Sequence, residues 1–102
     1  DVAVSDNRPI GKDGRCAKAV GSTVNVAEAN YTNAIGAAAL EAYWQDPDFD
    51  PAERAFYYVR VIEIPTPRWT TYDAKIFGVK LPEDVPATIQ ERAYTSPIWY
   101  TP

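Results

Sequence analysis

The run Ala55–Ile64, which Pro65 follows directly, limits the possible folds of this chain more than any other segment. Aromatic and β-branched residues fill most of the run, and such residues favour strands over helices. Apolar side chains occupy both sides of a period of two, with Tyr57, Val59 and Val61 on one side and Phe56, Tyr58 and Ile62 on the other. The run is therefore predicted to be a central strand covered on both faces, ended by the prolines at positions 65 and 67.

Four further segments are predicted as strands: Val2–Val4, Thr23–Val26, Ala34–Gln45 and Ile89–Tyr94. The alanines of the third segment would also suit a helix. Leu40, Ala42 and Trp44 alternate with larger or more polar neighbours, however, and this period of two favours a strand.

The boundaries of the remaining elements depend on single residues. A short helix is predicted over Tyr72–Phe77, capped by Thr70 or Thr71 and ended by Gly78. After the interruption at Ser96-Pro97, the last three apolar residues of the chain, Ile98 to Tyr100, are predicted to form either a bulged continuation of the preceding strand or an edge segment.

Short strands separated by turn-forming residues, with one small helix, predict a mainly β fold. The best match is an immunoglobulin- or fibronectin-like β-sandwich, whose penultimate strand has a rhythm similar to Tyr57, Val59 and Val61. A length of 102 residues is close to the commonest domain size, so residues 1–102 are predicted to form one domain.

The absence of histidine limits the chemistry of the chain more than any other feature of its composition. It excludes histidine bases, Ser-His-Asp and Cys-His catalysis, and the commonest ligand of transition metals. The single cysteine, Cys16, cannot form a disulfide within the chain, and the five glycines are too dispersed for a phosphate-binding loop. We therefore expect no catalytic residue, no cofactor-binding residue and no cofactor in this segment.

Charge and hydropathy restrict the partners of the chain. The formal net charge is −4 and the basic residues are scattered, which argues against a nucleic-acid partner. The apolar runs are far shorter than the roughly 20 residues of a membrane span. The chain contains no methionine, and we expect it to be a fragment of a larger protein.

Three carboxylates at alternate positions, Asp46, Asp48 and Asp50, are a weak candidate for a metal site. Ca²⁺ prefers several hard oxygen ligands, and this spacing matches the first ligands of a calcium loop. The match ends at Pro51 and Tyr57, where such a loop needs glycine and a bidentate glutamate. The alternative is a proline-stiffened turn between two strands.

The three tryptophans, Trp44, Trp69 and Trp99, allow two interpretations. Exposed together, they could form a flat platform on which a sugar ring stacks. Packed inside the module or against another domain, each would contribute a few kcal/mol of burial. The second interpretation is favoured, because a small sandwich needs large side chains to fill its core.

Four long segments of the sequence, Trp44–Pro51, Ala55–Val61, Ile64–Ala74 and Pro86–Pro102, resemble the C-terminal end of the bacterial domain-of-unknown-function family 3604. The resemblance implies a parent protein several times longer, with a His-x-His motif near its start like that of the polymerase-and-histidinol-phosphatase (PHP) metallohydrolases. No residue of that motif occurs in this chain. The resemblance also implies export of many members, and hence a periplasmic or envelope location.

We therefore expect a non-catalytic accessory domain that packs against a PHP-like catalytic domain of its own polypeptide. Its interdomain or ligand surface is predicted at Arg68, Trp69 and Trp99. The isolated chain would then expose an apolar patch and self-associate. The alternative is a ligand-binding module for carbohydrate or Ca²⁺, which would use exposed aromatic side chains or the turn from Asp46 to Asp50.

Overall fold

The computed structural model describes residues 8–102, so the predicted Val2–Val4 strand lies outside the described residues. The elements of regular structure are β1 (Ala55–Tyr57), β2 (Arg60–Ile62), β3 (Thr66–Pro67), α1 (Trp69–Phe77), β4 (Thr88–Ile89), β5 (Arg92–Tyr94) and β6 (Ile98–Tyr100). Strands with a single short helix were predicted, and that content is confirmed. No helix in residues 8–102 has the length and apolar character needed to cross a membrane.

The strands form three nested antiparallel ladders, β1–β6, β2–β5 and β3–β4. Nested pairing makes them successive parts of one long two-stranded ribbon, whose two sides are joined by α1 and the loop that follows it. The predicted strand over residues 55–64 is thus two short strands. Each has one neighbour only, which corrects the prediction of a central strand.

Two bulges divide the ribbon into its ladders. Between the first two ladders, residues 58–59 oppose residues 95–97, so the side that contains Ser96-Pro97 carries one extra residue. Between the second and third, residues 63–65 oppose residues 90–91, and the extra residue is on the other side. The two insertions compensate. Of the two alternatives predicted for Ile98–Tyr100, the bulged continuation is the one that the structure shows.

Proline explains both bulges of the ribbon. Pro65 and Pro97 cannot donate to a ladder, and each lies in an unpaired stretch. Backbone hydrogen bonds carry the pairing across the two gaps, from the Thr95 N–H to the Val59 carbonyl at 3.0 Å and from the Glu63 N–H to the Glu91 carbonyl at 2.9 Å. Pairing then resumes in β3 and ends at Pro67, so Pro65 interrupts the predicted strand and Pro67 ends it.

Helix α1 is longer than predicted at its start. It begins after Arg68, which makes no side-chain capping hydrogen bond, so Thr70 and Thr71 lie inside the helix and are not its caps. Gly78 ends it in the left-handed conformation at φ 63°, as predicted, because glycine adopts this conformation without steric cost. The Thr71 hydroxyl donates to the Ala87 carbonyl at 2.6 Å and fixes the helix to the strand side that leads into β4.

Two of the three strands predicted before residue 50 lie within the described residues, and neither forms a strand there. Ala34–Gln45 has neither helix nor strand in the structure, and Gly36 within it lies at φ 74°, which breaks an extended run. A strand needs a partner, and the two sides of the ribbon pair with each other. Thr23–Val26 is reduced to a single bridge between Asn25 and Asn30.

The molecule is elongated, with principal extents of 60 × 26 × 23 Å. Its radius of gyration is 18.4 Å, whereas a compact domain of 100 residues has about 13 Å. Among residues 8–102, Ala29, Pro67 and Thr71 alone are buried. The described residues form one two-stranded ribbon and do not include the two stacked sheets of a sandwich.

Candidate functional site: an exposed aromatic row on the ribbon

One face of the ribbon carries a continuous row of rings. Phe56 pairs with Trp99 across β1 and β6, and the two ring centroids lie 5.3 Å apart. Tyr58 follows two residues after Phe56 on the same face and stacks on it, with 6.2 Å between centroids and 11° between planes. Tyr94 continues the row at 6.1 Å from Tyr58, and the Arg60 guanidinium ends it, 5.8 Å from the Tyr94 ring centroid. We call Trp99, Phe56, Tyr58 and Tyr94 the aromatic row.

The aromatic row is open to solvent. Its four side chains are between 53% and 72% exposed, although aromatic rings are among the side chains that gain most from burial. Covering the exposed part of each ring would contribute about 2 kcal/mol or more. Contiguous apolar surface of this kind is typical of a surface that contacts another protein or a ligand.

The opposite face is covered by the segment that precedes the ribbon. The Trp44 ring lies 6.0 Å from Tyr57, and the Phe49 ring lies 4.9 Å from Tyr100 in an edge-to-face arrangement. The Tyr100 hydroxyl donates to the Pro51 carbonyl at 3.0 Å. At the β1–β6 end, the segment from Trp44 to Pro51 therefore covers one face of the ribbon, and the face with the aromatic row stays open.

A hydrogen bond between side chains completes this contact. The Tyr57 hydroxyl donates to Asp46 Oδ2 at 2.8 Å. The hydrogen bond to the Asp46 carboxylate raises the pKa of Tyr57, and burial and the negative charge of Asp46 raise it further, because each opposes ionisation of the phenol. The ribbon and the preceding turn are thus joined by a polar contact as well as by rings.

Two of the three alternate aspartates accept hydrogen bonds from backbone N–H groups within the turn. Asp46 Oδ1 accepts from the Asp48 N–H at 3.0 Å, and Asp50 Oδ1 accepts from the Ala52 N–H at 2.8 Å. These are Asx turns, the arrangement expected of a proline-stiffened connection. Across residues 8–102, no group of three or more histidine, cysteine or acidic side chains is arranged to hold a metal ion.

The chain that carries this aromatic row matches one known family along its whole length. The match, to a family described as "Protein of unknown function (DUF3604)", covers residues 1–102. The chain belongs to the DUF3604 family. No curated protein and no solved structure matches it. The family membership predicted from the sequence is thereby confirmed.

In this DUF3604 chain the predicted surface residues occupy different parts of the ribbon. Trp99 belongs to the aromatic row at the β1–β6 end, whereas Arg68 and Trp69 lie where the third ladder leads into α1. Trp69 is 66% exposed. Trp44 contacts Tyr57 on the covered face, so the three tryptophans do not form one platform.

Three members of the aromatic row were missing from the predicted surface. The period of two had placed Phe56 and Tyr58 on one face, which was the available signal. Whether Tyr94 joins the row depends on strand register, because the bulge at residues 95–97 decides whether Tyr94 lies on the same face as Trp99. A sequence pattern does not fix that register.

Proposed function

We propose that this DUF3604 chain is a non-catalytic accessory element that packs its aromatic row against the remainder of its own polypeptide. In this proposal the chain is the C-terminal region of a PHP-like metallohydrolase, as the resemblance of its sequence implies. The observation that carries the proposal is the exposed row of four rings on a ribbon with hardly any buried residues.

The thermodynamics of two-stranded ribbons supports this proposal. An isolated pair of strands is marginally stable in water, and three or more strands or a packed layer are needed for independent stability. A partner layer on the aromatic row would supply the missing burial. If the partner layer is itself a sheet, the assembled unit is the sandwich predicted from the sequence.

The test is to compare the reactivity of the rings in the isolated chain and in the full-length polypeptide. We expect hydroxyl-radical labelling to modify Trp99, Tyr58 and Tyr94 in the isolated chain and to spare them in the full-length protein. Phe77 at the end of α1 is as exposed as Trp99, at 73% against 72%, and serves as the matched control. Equal labelling of the row in both proteins would contradict the proposal.

A pair of substitutions tests the same contact by its energy. Trp99→Ala should destabilise the full-length protein by about 3 kcal/mol if the ring is buried there. Phe77→Ala should change its stability by much less, because that ring lies outside the aromatic row. The PHP-like context has a separate test, since a His-x-His motif in the sequence that precedes Asp1 supports it and the absence of that motif counts against it.

A second candidate function is carbohydrate binding by the same face, and the row itself favours it. Successive exposed rings with Arg60 at one end resemble a surface on which sugar rings stack. Quenching of Trp99 fluorescence by an oligosaccharide panel would support this function, provided that Phe56→Ala abolishes it. Unchanged fluorescence with every oligosaccharide would contradict it.

A further inference from the structure

A second surface feature lies where the third ladder leads into α1. Two arginines, Arg68 and Arg92, line one shallow depression, which we call the arginine notch. Its other walls are Pro65, Pro86, Thr88, Ile89 and Gln90. None of the lining residues is acidic, although the chain as a whole has a net charge of −4.

The fold brings together two arginines that are distant in the sequence. The Arg68 backbone is fixed because its N–H donates to the Ala87 carbonyl at 2.9 Å and its own carbonyl accepts from the Thr71 N–H at 2.9 Å. Arg92 lies in β5, two residues after Gln90, and alternate residues of a strand side share a face. The notch is thus built from residues on the two sides of the ribbon.

Neither arginine of the notch forms an ion pair with the residues that the structure describes. The ion pairs of residues 8–102 are Lys75 with Glu28 and Lys80 with Glu83, and neither involves a notch residue. The Gln90 side-chain amide donates to the Glu63 carbonyl at 3.0 Å, which leaves the guanidinium groups as the main donors. Two cations that line one depression repel each other, and a bound anion would relieve that repulsion.

We propose that the arginine notch binds a phosphate or sulfate group. Each guanidinium is a planar fork of donors that can hold two oxygens of an oxyanion. A tetrahedral oxyanion offers enough oxygens for two forks, whereas one carboxylate has only two. The notch contains no ring of the aromatic row, so this site goes beyond the proposed packing function and does not depend on it.

The experiment uses the full-length polypeptide labelled with fluorotryptophan, and it follows the ¹⁹F resonance of Trp69, assigned with Trp69→Phe. Trp69 adjoins Arg68 and reports on the notch, whereas Trp99 lies at the β1–β6 end of the ribbon and Trp44 lies in the segment before it. Inorganic phosphate and sulfate should shift the Trp69 resonance saturably at constant ionic strength. Chloride should not shift it.

Substitutions then assign the effect to the two guanidinium groups. Arg92→Gln should weaken phosphate binding about tenfold or more, because it removes charge-assisted hydrogen bonds. Arg54→Gln removes an exposed arginine outside the notch and should leave the affinity unchanged. Arg92→Lys keeps the charge without the fork and should fall between Arg92→Gln and the parent protein.

The source of the group is decided by comparing inorganic phosphate with glucose 6-phosphate. Equal affinities assign the site to the free ion, and tighter binding of the ester assigns it to a phosphate carried by a larger molecule. The inference is overturned if Trp69 responds equally to chloride, or if Arg92→Gln and Arg54→Gln behave alike. Either result is independent of whether the aromatic row is buried.

Discussion

Two adjacent threonines in α1 offer a stability test with opposite expected signs. Thr71 is 2% exposed, and its hydroxyl donates to the Ala87 carbonyl at 2.6 Å. The Thr70 hydroxyl oxygen is buried and has no hydrogen-bond partner among the residues described. Replacing each by valine keeps the β-branched shape and removes only the hydroxyl.

The magnitudes follow from what each substitution leaves unpaired. In Thr71→Val the Ala87 carbonyl keeps the Arg68 N–H at 2.9 Å, so no buried acceptor is orphaned. The expected loss is therefore that of one net hydrogen bond, about 1 kcal/mol. Thr70→Val removes a buried hydroxyl that has no partner, and it should stabilise the helix by about 1 kcal/mol.

Native-state hydrogen exchange at the Val79 amide measures both effects. This N–H donates to the Ala74 carbonyl at 3.0 Å at the end of α1, so it exchanges when the helix opens. A change of 1 kcal/mol alters the exchange rate about fivefold. We expect Thr71→Val to speed exchange and Thr70→Val to slow it. A shift of both variants in the same direction would refute the assignment of the two hydroxyls.

Two other predictions concern the segment before the ribbon. Gly36→Ala should lower the free energy of unfolding in urea by about 1–2 kcal/mol more than Gly21→Ala. Both glycines have positive φ, so the backbone strain is similar. Only at Gly36 would the added Cβ clash, because it would lie 2.7 Å from Ile64 Cγ2. The hydrogen bond and charge of Lys75 lower the pKa of Glu28 from its usual 4.5. The contribution of the Glu28–Lys75 ion pair to the stability of the fold should therefore be full above pH 4.5 and be lost as the pH falls through the lowered pKa of Glu28. Exchange protection of the neighbouring Asn25–Asn30 bridge should fall accordingly, and Glu28→Gln should abolish this pH dependence.

Local chemistry made much of the ribbon predictable. Aromatic and β-branched residues predicted the strand region from residue 55 onward. Gly78 predicted the end of α1, because glycine readily adopts the positive φ (63°) that it has there. The prediction for Ala34–Gln45 was wrong, although its alternation resembled that of a strand. Alternation shows which side chains would share a face, but a strand also needs a backbone partner.

The candidate site could be predicted only in part. Trp99 was expected at a surface, and it is exposed in the aromatic row. Trp69 is also exposed but lies beyond two further ladders, so the expected single surface is two separate features. Arg92 was not among the residues predicted for a surface site, because only the pairing of the two ribbon sides brings it to the same depression as Arg68.

The amino-acid sequence alone shows which chemically reactive side chains are absent and which segments favour strands. It contains no histidine, and Ala55–Ile64 has the composition of a strand wherever it is placed. The tertiary structure decided the register, through bulges at residues 63–65 and 95–97, and with it which rings form the aromatic row. Side-chain type acts within a few residues, whereas a shift of one residue in pairing exchanges the two faces of a strand.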